Sequence, residues 1–143
     1  MESFSPYLLA ALVAWVVAQG LKYVFISLKN KSFNNIRQLY LSGSMPSAHS
    51  TTVVALLTVI GARDGLNSSV FGLAALFAAV VMYDAMMVRR SSGEQGMAIR
   101  ALIKEQKSVV SLPRAAKGHT PPEVAVGALL GLIIGLVVFF ATR

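Results

Sequence analysis

Residues Val124 to Thr142 read VAVGALLGLIIGLVVFFAT, a run of 19 residues without a charged side chain. A helix that crosses the hydrocarbon core of a bilayer needs roughly 20 consecutive apolar residues, so this run predicts a membrane-spanning helix. The chain contains three further uncharged stretches: Ser3–Leu21, Gln38–Ala62 and Gly65–Tyr83. The second stretch becomes truly apolar only near Thr51 and has to include Pro46–Ser50 to reach across a membrane.

The composition favours a membrane protein with a single domain over residues 1–143. Hydrophobic residues make up 55% of the chain and charged residues 13%, whereas a soluble domain carries about a quarter charged residues. The same proportions exclude a disordered chain. Cysteine is absent, which excludes disulfides and cysteine metal sites, and the two histidines are too few for an all-histidine catalytic zinc site.

The basic residues predict the orientation of the chain. There are 13 Lys and Arg against 6 Asp and Glu, for a net charge of +7. On so apolar a chain, this charge indicates contact with a lipid bilayer or an anionic substrate, and no nucleic acid. The charges concentrate in two loops, at Lys22–Arg37 and Arg89–Lys117. By the positive-inside rule we expect both loops in the cytoplasm, both termini outside, and a multi-pass protein of the inner (plasma) membrane.

Residues Gly93–Lys107 have the pattern of an amphipathic helix that lies on the cytoplasmic surface of the bilayer. Basic and apolar residues fall on different faces of it: Arg100, Lys104 and Lys107 against Ile99, Leu102 and Ile103. A capping box, made by Ser91 with Glu94 or by Ser92 with Gln95, would begin this helix. The predicted fold is therefore all-α, an integral membrane bundle of about four transmembrane helices plus this surface helix.

The last predicted span carries glycines at a spacing of four residues, Gly127, Gly131 and Gly135. Such a stripe forms a groove that lets another helix approach closely. The partner helix belongs either to the same chain or to a second copy, so a homodimer is left open. The alternative is that glycine is simply common in membrane helices.

Each of the two histidines lies at a predicted helix start. In Pro46–Ser50, the N–H groups of the first turn and the Ser47 hydroxyl form an anion site, and His49 can donate a proton to a bound phosphate ester. In Gly118–Val124, Glu123 completes a capping box and also lies one turn beyond His119, which it can orient as a nucleophile. The alternatives are polar helix caps in which the histidine and the carboxylate have no further role.

Charged residues at the ends of the other spans point to the same chemistry. An aspartate at the end of an apolar helix is a functional hypothesis by default, and paired arginines can grip phosphate oxygens. The alternative is that the basic side chains anchor the spans by snorkelling to the interface. The charged residues concerned are Asp84, Arg89, Arg90, Lys22 and Arg37, with Tyr83 next to Asp84 as a possible supporting residue.

All of these candidates map to one end of the four predicted spans. A cationic pocket with two histidines and no set of metal ligands suggests phosphoryl transfer, in which the site positions the substrate and stabilises charge. We therefore expect neither a metal nor a cofactor.

The motifs resemble the type 2 phosphatidic acid phosphatase superfamily, whose signatures are K-x6-R-P, P-S-G-H and S-R-x5-H-x3-D. Pro46-Ser47-Ala48-His49 is similar to the second signature, and His119 through Glu123 to the end of the third. The match is closer to a divergent bacterial and plant branch with G-M-P-S-S-H-S, Y-D-x4-R-R-x2-G-x-Q and G-H-T-P-x-E-V. Here these blocks stand in order at 44–50, 83–95 and 118–124.

The resemblance implies a role for each candidate residue. His119 would form a phosphohistidine with Glu123 orienting it, and His49 would protonate the leaving alcohol. The phosphoryl oxygens would be held by Lys22, Arg37, Ser47 and Arg89 or Arg90. The sequence departs from the family at several positions: Ala48 replaces glycine, Glu123 replaces aspartate, and the first signature is incomplete, with its lysine replaced either by Lys22 or by another residue.

The sequence thus predicts a metal-independent phosphatase, a phosphoric monoester hydrolase of the membrane. Its substrate would be a lipid phosphomonoester or pyrophosphate, such as phosphatidylglycerophosphate, phosphatidate or an isoprenyl phosphate. The alternative is a non-catalytic membrane protein that binds anionic lipids or acts as a scaffold.

Overall fold

The structure, a computed structural model, describes residues 4–30, 45–113 and 118–143. Its elements in chain order are α1 (Pro6–Asn30), α2 (Ala48–Asp64), α3 (Ser69–Tyr83), a π-helical turn (Asp84–Val88), α4 (Arg89–Glu105) and α5 (Pro121–Ala141). Within these residues all regular structure is helical, and the all-α prediction is confirmed.

Three helices are long and apolar enough to cross a membrane. They cover Pro6–Leu28, the continuous helix Ser69–Glu105 and Pro121–Ala141. The predicted second span corresponds to α2, which has 17 residues and begins at Ala48. It lies in the centre of the bundle and packs against α1, α3 and α5. Its passage through the whole bilayer stays a prediction.

Polar contacts fix how the helices alternate in direction. The Tyr7 hydroxyl donates to Asp64 Oδ1 at 2.8 Å, and the Arg63 guanidinium donates to the carbonyl of Thr142. The start of α1 and the ends of α2 and α5 therefore meet at one end of the bundle. The opposite end, where α2 and α5 begin and α1 and α3 finish, is called the site end below.

The predicted surface helix does not begin where the sequence suggested. Helix α4 starts at Arg89 and continues directly from α3 through the π-helical turn. Both predicted capping boxes are therefore wrong, because a helix that continues has no free N–H groups for a box to bind. Instead, Ser91 Oγ accepts a bond from Gln95 Nε2 at 3.4 Å, and Glu94 pairs with Arg90.

The glycine stripe of α5 packs against α2 of the same chain. All three of its glycines are buried. A β carbon added to Gly127 would lie 2.7 Å from the Ser47 carbonyl oxygen, and one added to Gly135 would lie 2.6 Å from Thr58 Cβ. Helix α1 packs beside this contact between α2 and α5 and completes the core. The core consists of Ala10, Ala14, Ala55, Val59, Ile134 and Val138. The stripe thus serves packing within the chain.

We expect Gly131→Ala to destabilise the protein by roughly 1–3 kcal/mol, as overpacking of a tight interface does. Its new methyl group would collide with the backbone of Thr51 on α2. Thermal unfolding of the purified protein in detergent measures the change. Gly20→Ala on α1 is the matched control, because a β carbon there has nothing within 4 Å. Equal melting temperatures for the two variants would contradict the close packing of α5 on α2.

Candidate active site

The first turn of α2 forms one wall of the site. Ser47 is its N-cap, and its Oγ accepts bonds from the Ser50 backbone N–H at 3.4 Å and the Ser50 hydroxyl at 2.9 Å. Ser47 is fully buried, whereas His49 is exposed. The Ser47 side chain therefore holds the helix start, and a direct contact with phosphate stays a prediction. His49 presents its ring at the surface of the site end.

His119 and Glu123 form a second wall at the start of α5. His119 Nδ1 lies 3.3 Å from Glu123 Oε2, and the same oxygen accepts the Thr120 backbone N–H at 2.9 Å. The predicted capping box is present. Glu123 therefore caps α5 and contacts the histidine at the same time. When Nδ1 carries the proton and donates it to Glu123, the Nε2 nitrogen is left with its lone pair.

Burial sets the charge of His119. The residue is 5% exposed, and this burial lowers the pKa of His119 below its ordinary value, while the Glu123 carboxylate opposes the shift. A buried imidazole with a lowered pKa is neutral at physiological pH, and the neutral ring is the nucleophilic form. The fold therefore keeps the His119 ring in its neutral, nucleophilic form.

The loop that precedes α5 lies against the π-helical turn. The His119 backbone N–H donates to the Ala85 carbonyl at 3.0 Å. Gly118 has a φ of +64°, and a β carbon there would lie 2.6 Å from the Arg90 backbone nitrogen. This close approach requires glycine, and it brings His119 next to the helix that carries both candidate arginines.

The two arginines have different surroundings. Arg89 Nε lies 2.6 Å from Asp84 Oδ2, and the charges of this pair act on His49. Arg90 Nε lies 3.2 Å from Glu94 Oε1 in an exposed pair. Of the two, Arg89 is thus the one whose charge reaches His49, and Asp84 holds its guanidinium.

Lys22 lies inside the bundle although it ends a predicted span. It is 6% exposed and follows Ala10, Ala14 and Ala18, all 0% exposed, at intervals of four residues. This spacing, which is visible in the sequence, places Lys22 on the packed face of α1 rather than at the lipid interface. Its charge acts on Glu123 and on His119. Arg37, the remaining candidate cation, lies outside the described residues.

A groove of about 590 Å³ opens beside the start of α5, and sequence reasoning did not anticipate it. Its apolar wall brings residues of the π-helical turn next to Pro121, two residues after His119; the groove is lined by Tyr83, Met86, Met87, Arg90, Ser91, Glu94 and Pro121. Tyr83, a candidate supporting residue, lies here. No sequence signal pairs Met87 with Pro121, because the contact depends on how the loop folds back.

Comparisons with known proteins identify a family and a bacterial relative. The family model described as "Divergent PAP2 family" matches residues 4–134. The chain is also 35% identical, over 150 aligned positions, to the uncharacterized membrane protein YuiD of Bacillus subtilis (strain 168), with 93% of each chain covered. No solved structure gives a significant match.

We expect Glu123→Gln to lower the pKa of His119 further, because the carboxylate opposes the effect of burial. Titration of the two imidazole rings by NMR measures this shift. Glu94→Gln removes a carboxylate at the same end of the bundle and should leave His119 unchanged. A pKa that rises in Glu123→Gln would contradict the contact between His119 and Glu123.

The lowered pKa also predicts how stability depends on pH. The unfolded chain binds a proton on His119 near pH 6.5, whereas the folded chain binds it only at lower pH. Acidification below about pH 6.5 should therefore reduce the free energy of unfolding. His119→Gln should flatten this dependence, and an unchanged acid slope in that variant would assign the dependence to other groups.

Proposed function

The chain belongs to the divergent PAP2 family, and on that premise we propose that it is a membrane phosphatase that hydrolyses lipid phosphate esters. The reaction passes through a phosphohistidine at His119 and uses no metal. The observation that supports this most is the convergence at the site end of both histidines with Lys22 and Arg89. They come from three separate helices and the loop before α5, and chance placement of membrane anchors does not account for such a set.

The proposed reaction has two steps. His119 Nε2 attacks phosphorus, the bond from phosphorus to the ester oxygen breaks, and His49, which the bound phosphate anion keeps protonated, gives its proton to the leaving alcohol. Neutral His49 then takes a proton from water, the water oxygen bonds to phosphorus, and the bond to His119 breaks. Inorganic phosphate leaves and both histidines return to their first state.

The cations hold the phosphoryl oxygens during both steps. Arg89 and Lys22 supply positive charge, and the N–H groups of the first turn of α2 add the field of a helix N-terminus. Phosphoryl transfer depends mainly on such positioning and charge stabilisation. Asp84 keeps the Arg89 guanidinium in place, as Glu123 keeps the His119 ring.

The substrate is proposed to be a lipid because the groove at Pro121, two residues after His119, is largely apolar. Met86, Met87 and Pro121 offer a surface for a hydrocarbon chain, and methionine adapts to chains of varied shape. Phosphatidylglycerophosphate, phosphatidate and isoprenyl phosphates fit this description. With the basic loops in the cytoplasm, the reaction occurs on the cytoplasmic face of the plasma membrane.

We expect His119→Ala to lower phosphate release by at least about a thousandfold, as loss of a nucleophile does in other hydrolases. The assay uses purified protein in detergent with a chelator present and phosphatidate, phosphatidylglycerophosphate and an isoprenyl pyrophosphate as substrates. A folded His119→Ala protein with full activity would refute the assignment of the nucleophile. If the wild type binds anionic lipids but releases no phosphate from any of them, the alternative of a non-catalytic lipid-binding protein is favoured.

The leaving group separates the roles of the two histidines. Without His49, an alkyl alcohol has to leave unprotonated, whereas p-nitrophenolate leaves readily without a proton. We therefore expect His49→Ala to lose about 10²–10⁴-fold on a lipid phosphate and far less on p-nitrophenyl phosphate. His119→Ala should lose activity on both substrates. Equal losses for His49→Ala on the two substrates would show that His49 is not the general acid.

Chain binding in the groove predicts a difference between two exposed methionines of the same continuous helix. Met87 lines the groove and Met97 does not, although their exposures are 54% and 51%. Met87→Gln should raise the KM for a long-chain substrate and leave that for a water-soluble phosphate ester unchanged. Met97→Gln should change neither. Identical KM values for both variants would place the lipid chain elsewhere.

A further inference from the structure

The π-helical turn leaves one carbonyl group of its own helix unused by the expected donor. In a regular α-helix each N–H donates to the carbonyl four residues before it, so Arg89 would donate to Ala85. Here the Arg89 N–H donates to Asp84, five residues before it. The Ala85 carbonyl accepts the His119 backbone N–H instead, at 3.0 Å. The extra residue of the π-helical turn thus frees the Ala85 carbonyl from its own helix. This carbonyl instead bonds the turn to the loop before α5.

The neighbouring residue, Gly118, makes a second backbone contact, with the start of α4 directly after the turn. Gly118 has a φ of +64°, and any β carbon there would lie 2.6 Å from the Arg90 nitrogen and 2.7 Å from its Cα. The loop therefore packs against backbone atoms rather than side chains. Since the backbone atoms of a helix cannot rotate away, this contact fixes the position of His119 along the helix and the orientation of its backbone.

The same turn also sets the position of an arginine. Asp84 is its first residue, and Oδ2 of that residue lies 2.6 Å from Nε of Arg89, the residue that follows the turn. We propose that the π-helical turn Asp84–Val88 is a positioning element that holds the His119 loop in register with Arg89, with Ala85 acting through its carbonyl oxygen. Its effect on catalysis rests on the proposed function, whereas its effect on the placement of His119 does not.

Deletion of Val88, the last residue of the turn, tests the turn directly. In the shortened helix Asp84 lies four residues before Arg89. The bond from the Arg89 backbone N–H to the Asp84 carbonyl therefore becomes an ordinary α-helical bond. Ala85 then lies four residues before Arg90, whose N–H takes the Ala85 carbonyl. Residues on both sides of the deletion stay on the same faces of the helix. The His119 backbone N–H, however, loses the Ala85 carbonyl as its acceptor. Val88→Ala is the matched control, because it shortens the side chain and keeps the number of residues in the turn, and Val88 does not line the groove.

Modification with diethyl pyrocarbonate reports the placement of His119 without any activity. The chain has two histidines; His49 is exposed and His119 is 5% exposed. In the wild type and in Val88→Ala, mass spectrometry of the peptides should find His49 modified much faster than His119. In the Val88 deletion the His119 rate should rise by about tenfold, the scale expected for loss of one backbone hydrogen bond, and the His49 rate should not change.

Phosphate release by the same variants gives the second readout. The deletion should lower kcat by about tenfold or more, while Val88→Ala keeps the wild-type kcat. A folded deletion variant with a protected His119 and unchanged kcat would overturn the proposal. If the deletion variant does not fold, Gly118→Ala displaces the same loop from the Arg90 backbone and should expose His119 in the same way. A wild type that shows the protection pattern but releases no phosphate would refute the proposed function and leave the positioning role standing.

Discussion

The close approach of α5 to α2 is the constraint on which the candidate site depends. Gly127 lies directly against the backbone of Ser47, and the Ser47 N–H donates to the Glu123 carbonyl at 3.4 Å. Two helix N-termini are thereby held side by side at one level. Because His49 lies one residue into α2 and His119 lies just before α5, the glycine seam brings the two histidines to the same end of the bundle.

Ionisable groups at this end are kept in place by partners rather than by solvent. A charge near the end of an apolar helix is costly unless another group compensates it. Arg89 has Asp84 and His119 has Glu123, while the buried Lys22 interacts with Glu123. Each partner also orients the group that it compensates. The same interactions that make the charges tolerable therefore fix the arrangement on which the proposed phosphate binding depends.

The sequence predicted the helices, the clustering of candidate residues and the capping box at Thr120, since these depend on local patterns of apolar and capping residues. It failed at the start of α4, because the spacing of residues after Ser91 resembles a helix start while the π-helical turn carries the helix through. The contact between His119 and Ala85 has no local signal, since it arises from one unused carbonyl in a distant segment. Burial of Lys22 was readable from the alanine spacing on α1.

Glu123 shows how a departure from a family motif can follow from local structure. The third signature of the superfamily, S-R-x5-H-x3-D, has aspartate at this position. A capping box prefers glutamate or glutamine at its third helical residue, because the longer side chain reaches back to the N-cap. Here Oε2 accepts the Thr120 N–H and lies within reach of His119 Nδ1. Capping fixes the carboxylate, and the fixed carboxylate orients the ring. The structural role and the proposed catalytic role of Glu123 are therefore one arrangement, and the first makes the second possible.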